Sequence, residues 1–464
     1  MKVDPTIFKT YDIRGINDTQ LNKNLAEFIG KGFGTYLRRK GTKDCLVCRD
    51  TRITSEDYQN NLVKGLLSVG INVYDMGLAL ASHLYHARHF YNIDGGVMVT
   101  ASHNPANYNG FKLCSGVNAI VGEEIQKVKK LVEKEDFEKG SGKLTEKFEA
   151  NKVYYDEIKK RIKFKKKLKV VVDAGHQTPS LFIPKFLREM GCEVFVLHEN
   201  IDSSFPAGIP DPVNQDFMKY TQDAVLKYKA DAGVIMDADG DRGGMVDDKG
   251  RIWMGDMILD LLVRDYLPKN KGAKVIVEVK DSEIVVEDTK RLGGIPIFWK
   301  TGHALLDQKV YEEKALLCGE MSCHYWVTKN WYVFDDTPFA LTQVLRIISE
   351  SDLKFSELMD QIPKYPSTPE IRFKCPEDKK GMVVEEGVTY FRNQCDKVVN
   401  VDGIRGYKFD GWFLLRKSNT QPLLSVRAEA KNNEDLEKLK DFVKGFLDKY
   451  NFLDFDWERQ YEEA

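Results

Sequence analysis

Three aspartates alternate in Asp237-Ala238-Asp239-Gly240-Asp241-Arg242, directly after the apolar run Ala232-Gly233-Val234-Ile235-Met236. Carboxylate oxygens brought together on a turning backbone suit a hard divalent cation, Mg²⁺ or Ca²⁺. An EF-hand is excluded. Its loop needs Gly at the sixth position and Glu at the twelfth, where this chain has Arg242 and Asp248, and a strand rather than a helix leads in. A merely solvated acidic turn would gather the same charges at a repulsive cost. Metal binding by Asp237, Asp239 and Asp241 is the expectation.

A second polar turn, Thr100-Ala101-Ser102-His103-Asn104-Pro105, follows the apolar Gly95-Gly96-Val97-Met98-Val99 and exposes one hydroxyl, Ser102. Adjacent Ser and His seldom form a nucleophile–base pair, and no G-x-S-x-G elbow is present, so esterase-type acyl chemistry fits poorly. Lys112, in Tyr108-Asn109-Gly110-Phe111-Lys112, is a candidate proton carrier, although a lone lysine after a loop is usually just solvated. Further on, Gly319-Glu320-Met321-Ser322-Cys323-His324 offers a carboxylate and a hydroxyl suited to sugar hydroxyls. Arg416-Lys417-Ser418-Asn419-Thr420-Gln421-Pro422 strings cations, hydroxyls and amides into one turn, good equipment for gripping phosphate oxygens.

Strands alternating with amphipathic helices must position these turns. Short β-branched runs (Val170 to Asp173, Glu193 to Leu197, Gly233 to Met236, Lys274 to Val279) predict an α/β fold. A helix is predicted from about Glu123, with Ile125, Val128, Leu131 and Val132 on one face. The rhythm recurs three times without a convincing sequence repeat. Two boundaries are legible: a basic run, Lys159 to Lys169, read as a solvated face, and Pro363 to Pro369, whose three prolines read as an inter-domain linker. Beyond it a last helix is predicted, with Leu436, Leu439, Phe442, Val443, Phe446 and Leu447 as its core stripe and Asn433 as N-cap.

The 464 residues allow about three domains, and the 69 basic against 71 acidic side chains leave a net charge of −2. That balance argues against a dedicated nucleic-acid binder. No apolar run is long enough to span a membrane, and Met1 to Gly15 has no signal-like apolar core, so a cytoplasmic protein is expected. Eight cysteines are too few for a disulfide scaffold. Cys45 and Cys48 sit in a strand-like run and read as buried reduced thiols.

Together these motifs resemble the α-D-phosphohexomutases, in particular the bacterial phosphomannomutase/phosphoglucomutase group. The resemblance runs from Tyr11-Asp12-Ile13-Arg14-Gly15 to Pro422, in the family's order. It implies four domains around a central cleft: three related α/β domains with mixed sheets (1–150, 151–250, 251–363) and a smaller C-terminal α+β domain (364–464). It implies that Ser102 is phosphorylated, that Asp237, Asp239 and Asp241 hold one Mg²⁺ together with the Ser102 phosphate, and that Arg242 lies beside it. Arg14, Lys112 and His103 join the reacting centre. Tyr11, Lys280, His303 and His324 bind the substrate, Glu320 and Ser322 read its sugar hydroxyls, and Arg416, Ser418, Asn419 and Thr420 clamp the non-reacting phosphate. The implied reaction interconverts hexose 1-phosphates and 6-phosphates, mannose and/or glucose, through a hexose 1,6-bisphosphate that also serves as activator.

The implied partners are small hexose phosphates, with no nucleic acid or membrane, in a monomer or homodimer. Cys323 stands where the group usually has Gly, and Lys417 and Gln421 fill variable positions. Met321 and Asn419 resemble the mannose/glucose group more than the glucosamine mutases, whose loops read G-E-Q-S and S-G-T. A phosphoglucosamine mutase is the nearest alternative, an aspartyl phosphatase a more distant one, and an inactive sugar-phosphate-binding protein the alternative of another class.

Overall fold

The structure is a computed structural model that describes residues 3–418 and 421–458. Among these described residues the strands gather into four sheets. The first holds β1 (Ile13–Ile16), β2 (Asp44–Arg49), β3 (Asn72–Leu78), β4 (Gly95–Val99), β5 (Tyr108–Cys114) and β6 (Leu144–Thr145), in the order β1-β5-β4-β2-β3-β6. The second holds β7 (Lys169–Asp173), β8 (Glu193–Leu197), β9 (Ala232–Met236), β10 (Gly243–Asp247) and β11 (Ile252–Trp253), in the order β11-β10-β9-β7-β8. The third holds β12 (Lys274–Glu278), β13 (Ile295–Trp299), β14 (Leu317–Gly319) and β15 (Tyr325–Val327), in the order β13-β12-β14-β15.

One construction underlies all three. The first parallel strand (β2, β7 or β12) lies in the middle, the second beside it, and the third on its other side. The chain then turns back antiparallel along that third strand, as β4 to β5, β9 to β10 and β14 to β15. The turns at these three returns carry Ser102, the aspartates, and Glu320 to His324. The loops leave from the carboxyl ends of parallel strands, where open α/β sheets hold their ligands. Equivalent topology without sequence repetition explains why only the rhythm was legible. β4 and β9 are wholly buried, as strands covered on both faces must be.

The fourth sheet is antiparallel throughout: β16 (Ile371–Lys374), β17 (Lys397–Val399), β18 (Ile404–Lys408), β19 (Gly411–Lys417) and β20 (Leu423–Ala430). Its β19–β20 return carries Arg416 and Ser418. The predicted apolar stripe packs on this sheet, with Leu436, Leu439, Val443, Phe446 and Leu447 buried and Phe442 partly so. The N-cap is Asn432 rather than Asn433: the Asn432 side chain accepts from Asp435 N, and the helix starts one residue later.

The Pro363 to Pro369 segment lacks helix, as its prolines dictate, but it is not a free tether. Thr368 N–H donates to Ala428 O, and Ala430 N–H donates to Pro366 O, so it lies extended along β20. In the basic run Ile162 and Leu168 are buried while the charged side chains around them face outward. The helix Glu123–Lys134 forms as predicted, burying Ile125, Val128 and Val132. Cys45 and Cys48 are buried free thiols on β2.

Candidate active site

The β4–β5 and β9–β10 returns meet. Ser102 Oγ donates to Asp237 Oδ2 at 2.6 Å and lies 3.0 Å from His103 Nδ1. Ser102 has φ +48°, a left-handed conformation seldom adopted by a residue with a Cβ. Lys112 points from β5 into the aspartates: its Nζ donates to Asp239 Oδ2 at 2.7 Å and to Asp241 Oδ2, with the side chain 2% exposed. Lys112, the candidate proton carrier, is buried rather than solvated because β5 pairs with β4 and faces the second sheet's turn.

The donor set fits a divalent cation. Ligand oxygens of Asp237, Asp239 and Asp241 lie within 4.8 Å of one another. The Oδ1 atoms of Asp239 and Asp241 are buried without a hydrogen-bond partner, whereas both Oδ2 atoms serve Lys112. Burial and the charges of Asp239 and Asp241 push the Asp237 carboxyl well above the usual carboxylate range. Burial acts on Asp241 too, but Lys112 and the nearby histidines outweigh it and hold that carboxyl well down.

Cations ring this centre. Arg14 donates to Asn104 Oδ1 at 2.5 Å and to Asp12 Oδ2 at 2.6 Å. Arg242 donates from its backbone N to Asp237 Oδ1 at 3.1 Å and from Nε to His324 Nε2 at 3.2 Å, and pairs with Asp211 at 3.3 Å. His324 Nδ1 lies 2.5 Å from Asp335 Oδ2. Where Arg242 donates to Nε2, the ring's one proton sits on Nδ1, facing Asp335. Burial opposes a second proton, but Asp335 and Asp241 favour it enough to lift His324 to about 9, so Arg242 and that proton compete for Nε2. Burial and the neighbouring Arg242 and Arg14 hold His103 well below the usual histidine range.

From His324 a row of rings leads away. His303 stacks on His324 at 5.2 Å between centroids, and Tyr11 meets His303 edge-on at 5.1 Å. Burial and His324 keep His303 well below its usual range, and its Nδ1 is buried without a partner. Beyond the row Glu320 Oε1 accepts from Gly302 N at 2.9 Å. The Glu320 loop rests on the helix Gly255–Tyr266 without a gap: a Cβ at Gly255 would stand 2.0 Å from Glu320 O. Ser322 is half-buried in the same loop. Cys323, in place of the family's usual Gly, has φ +71° and is fully buried.

Lys280 lies between Glu278 at 3.3 Å and Glu370 at 3.5 Å. Arg416 Nε donates to Asp402 Oδ2 at 3.0 Å, and that oxygen also accepts from Thr301 N at 3.2 Å. Lys380 Nζ holds the β19–β20 return by donating to Ser418 O and Gln421 O, each at 3.0 Å. Asn419 and Thr420 lie outside the described residues. Two groups therefore stand out, linked by the rings: one of Ser102, Lys112, Arg14 and Arg242 around the aspartates, and one of Lys280, Glu320 and Arg416.

Sequence reasoning missed the groups that orient these: Asp211 and Asp335, Asp402, Lys380 and Asn104. Asp335 stands next to Asp336, which caps the helix Thr337–Glu350. Asp12 was signalled only by its place between Tyr11 and Arg14.

Four family models match in succession, each described as phosphoglucomutase/phosphomannomutase: alpha/beta/alpha domain I over residues 5–139, domain II over 150–250, domain III over 254–365, and the C-terminal domain over 370–445. The phosphomannomutase/phosphoglucomutase of Pseudomonas aeruginosa is 34% identical over 442 residues, 95% of each chain. A phosphoglucomutase of Neisseria gonorrhoeae is 34% identical over 446 residues, 95% of this chain and 96% of its own. A solved phosphoglucomutase/phosphomannomutase family protein from Burkholderia thailandensis superposes with a TM-score of 0.92 at 32% identity, covering 98% of this chain and 100% of its own. With matches across all four domains and relatives over nearly its full length, the chain belongs to the phosphoglucomutase/phosphomannomutase family of phosphohexomutases.

Proposed function

We propose that this protein interconverts hexose 1-phosphate and hexose 6-phosphate, of mannose and/or glucose, by way of a phosphorylated Ser102. The observation that carries the reading is the contact of Ser102 Oγ with Asp237 Oδ2 at 2.6 Å, with Lys112 buried between the other two aspartates.

In the first half-reaction the bond between the Ser102 Oγ and phosphorus breaks, and a bond from phosphorus to the free sugar hydroxyl forms. The hydroxyl's proton is returned to Ser102 Oγ, giving a hexose 1,6-bisphosphate. That compound reorients, and Ser102 Oγ takes the other phosphoryl group. The bond from that phosphorus to the sugar oxygen breaks, and the Ser102 Oγ proton passes to the freed oxygen through a neighbour, for which Asp237 Oδ2 and His103 Nδ1 are within reach. Lys112, kept as an ammonium by the aspartates, supplies positive charge at the transferring oxygens and relays a proton there, taking up one for each it gives. Phosphoryl transfer calls chiefly for alignment and charge neutralisation.

Asp237, Asp239 and Asp241 would hold a Mg²⁺, which when bound neutralises charge on the phosphoryl oxygens. Arg14 and Arg242 add fixed positive charge. Glu320 and Ser322 take sugar hydroxyls, and Arg416 and Ser418 with Asn419 and Thr420 grip the phosphate that does not react. A hexose 1,6-bisphosphate primes the cycle by phosphorylating Ser102.

Turnover measured side by side on glucose, mannose and glucosamine 1-phosphates, primed with the bisphosphate, tests the reading. Mannose or glucose 1-phosphate should be isomerised to the 6-phosphate. Preference for glucosamine 1-phosphate would move the protein to the sister activity, and net phosphate release without isomerisation would overturn the mutase reading.

A further inference from the structure

Arg49-Asp50-Thr51-Arg52 runs from the end of β2 into the turn after it, and nothing in the chemistry above uses it. The structure puts it against the Ser102 loop. β2 and β4 are parallel neighbours with Arg49 opposite Val99, so the turn after β2 and the loop after β4 leave the sheet side by side. Asp50 N–H continues the ladder to Val99 O at 3.0 Å. The Asp50 carboxylate accepts from Arg52 N at 3.0 Å and from Ser55 Oγ at 2.5 Å, and lies 3.3 Å from Arg52 Nε. Its charge and position aim the guanidinium.

That guanidinium, 1% exposed, is spent on the backbone of the loop. Nη2 donates to Ser102 O at 2.6 Å and Asn104 O at 2.5 Å, while Nη1 donates to Pro105 O at 2.7 Å and Tyr108 O at 3.1 Å. Four carbonyls between Ser102 and the first residue of β5 thus converge on one buried cation. A planar fork with five N–H groups can meet them together; a lysine ammonium, with three donors at one point, cannot. The arrangement answers the negative ends of four carbonyl dipoles with one positive charge. It also over-determines the loop, which a left-handed Ser102 requires if it is to persist.

The turn is wedged against the segments that flank the second sheet as well. Thr51 N–H donates to Thr178 Oγ1 at 3.1 Å, Thr51 Oγ1 donates to Gln177 Oε1 at 2.9 Å, and Ser203 Oγ donates to Thr51 O at 2.5 Å. The Phe205 ring lies 5.1 Å from the guanidinium carbon. One short segment therefore touches both the Ser102 loop and the part of the chain that carries the aspartate turn.

We infer that Arg52 is a positioning residue for phosphoryl transfer, holding the backbone of the Ser102 loop so that Oγ is registered against the aspartates. The inference rests on the phosphoserine reading above. Its test uses the full-length protein freed of phosphate, as wild type, Arg52→Lys and Arg52→Ala. Intact mass follows the rate at which Ser102 takes phosphate from hexose 1,6-bisphosphate; kcat, KM and the thermal midpoint are measured on the same samples.

Misplacing a reacting group by about 1 Å costs about 10²-fold in rate. Arg52→Lys should therefore fold, and its phosphorylation rate and kcat should fall together by about that factor. KM for the hexose phosphate should stay within about threefold, since no contact to substrate is lost. Added guanidinium ion, at concentrations too low to unfold the protein, should restore part of the rate in Arg52→Ala but not in wild type. Phosphorylation of Arg52→Lys within about twofold of wild type would overturn the inference, as would a rise in KM at unchanged kcat. Activity lost only in proportion to the unfolded fraction, in both variants, would reduce Arg52 to a structural part and overturn it too. Wild type that takes no phosphate on Ser102 would instead overturn the phosphoserine reading, and this inference with it.

Discussion

Replacing Lys112 with methionine removes the ammonium that joins Asp239 to Asp241 while nearly keeping side-chain length and volume. In the structure that ammonium donates to one oxygen of each carboxylate inside a cluster almost sealed from water. Breaking a buried ion pair from one side costs about 3–5 kcal/mol, because the remaining charge is left uncompensated. Three carboxylates crowded without a cation will recover part of that by taking up protons, which Asp237 already favours. The variant should accordingly unfold at markedly lower temperature than wild type in chelator.

Added Mg²⁺ should narrow the gap, since the ion supplies charge where the ammonium is missing. Its affinity should exceed that of wild type, because Lys112 no longer repels it. Turnover responds in the opposite sense: loss of a general acid lowers kcat by about 10²–10⁴-fold with little change in KM. Thermal unfolding with and without Mg²⁺, Mg²⁺ titration, and steady-state kinetics on the same two proteins read all three effects. Weaker Mg²⁺ binding in Lys112→Met, or a melting point in chelator equal to wild type, would refute the view that this lysine neutralises the aspartates.

Asp239→Asn keeps the shape of the turn but removes one anionic ligand, so the Mg²⁺ concentration needed for half-maximal activity should rise and kcat should fall; unchanged metal dependence would count against the cluster. Arg416→Ala loses a charge-assisted contact of about 1.5–3 kcal/mol and should raise KM by about 10- to 150-fold. The increase should be similar for the 1-phosphate and the 6-phosphate, and an effect in one direction only would contradict a reorienting bisphosphate. Burial, with the nearby His86 adding, holds His83 down at about 3, and burial with the Arg88 charge holds His89 at about 4. Both are ordinary histidines once unfolded, so above pH about 6.5 they contribute no pH dependence. Below it the unfolded chain binds up to two more protons than the folded one. These two sites should then remove up to about 2.7 kcal/mol per pH unit down to about pH 4. His83→Gln should flatten the slope of stability against pH in that window, and an unchanged slope would refute the assignment.

The reacting motifs were legible because each breaks an apolar strand abruptly and is local. The aspartate turn, the Ser102 turn and the Glu320 loop each span about six residues, and in each the apolar run before it gives the strand end. What the sequence left unread are the orienting partners, whose contacts cross long separations. Arg52 meets Ser102 fifty positions away, and Asp211 meets Arg242 thirty-one away. Neither pairing has any local periodicity to reveal it. Lys112 shows the same limit from the other side: its type and place suggested chemistry, but its burial depends on how β5 faces a turn of the second sheet. The shared topology of three sheets was visible only as rhythm, since strand order is set by tertiary pairing. The one-residue error at Asn433 came from two adjacent asparagines equally suited to cap, a choice decided by which side chain reaches Asp435 N. The proline segment was rightly read as a break, but its pairing with β20 could not be read from proline spacing.

The central claim is that Ser102 carries the phosphoryl group through the reaction, and it is tested most directly by following that group. Protein freed of phosphate is incubated with a hexose 1,6-bisphosphate, the site of phosphate is mapped by mass spectrometry, and hexose 1-phosphate is then added. The account predicts one phosphate per chain, on Ser102, that leaves on addition of the monophosphate as hexose bisphosphate appears, and no uptake by Ser102→Ala. Phosphate at another residue, phosphate on Ser102 that the monophosphate cannot remove, or near-normal mutase turnover in Ser102→Ala would contradict it.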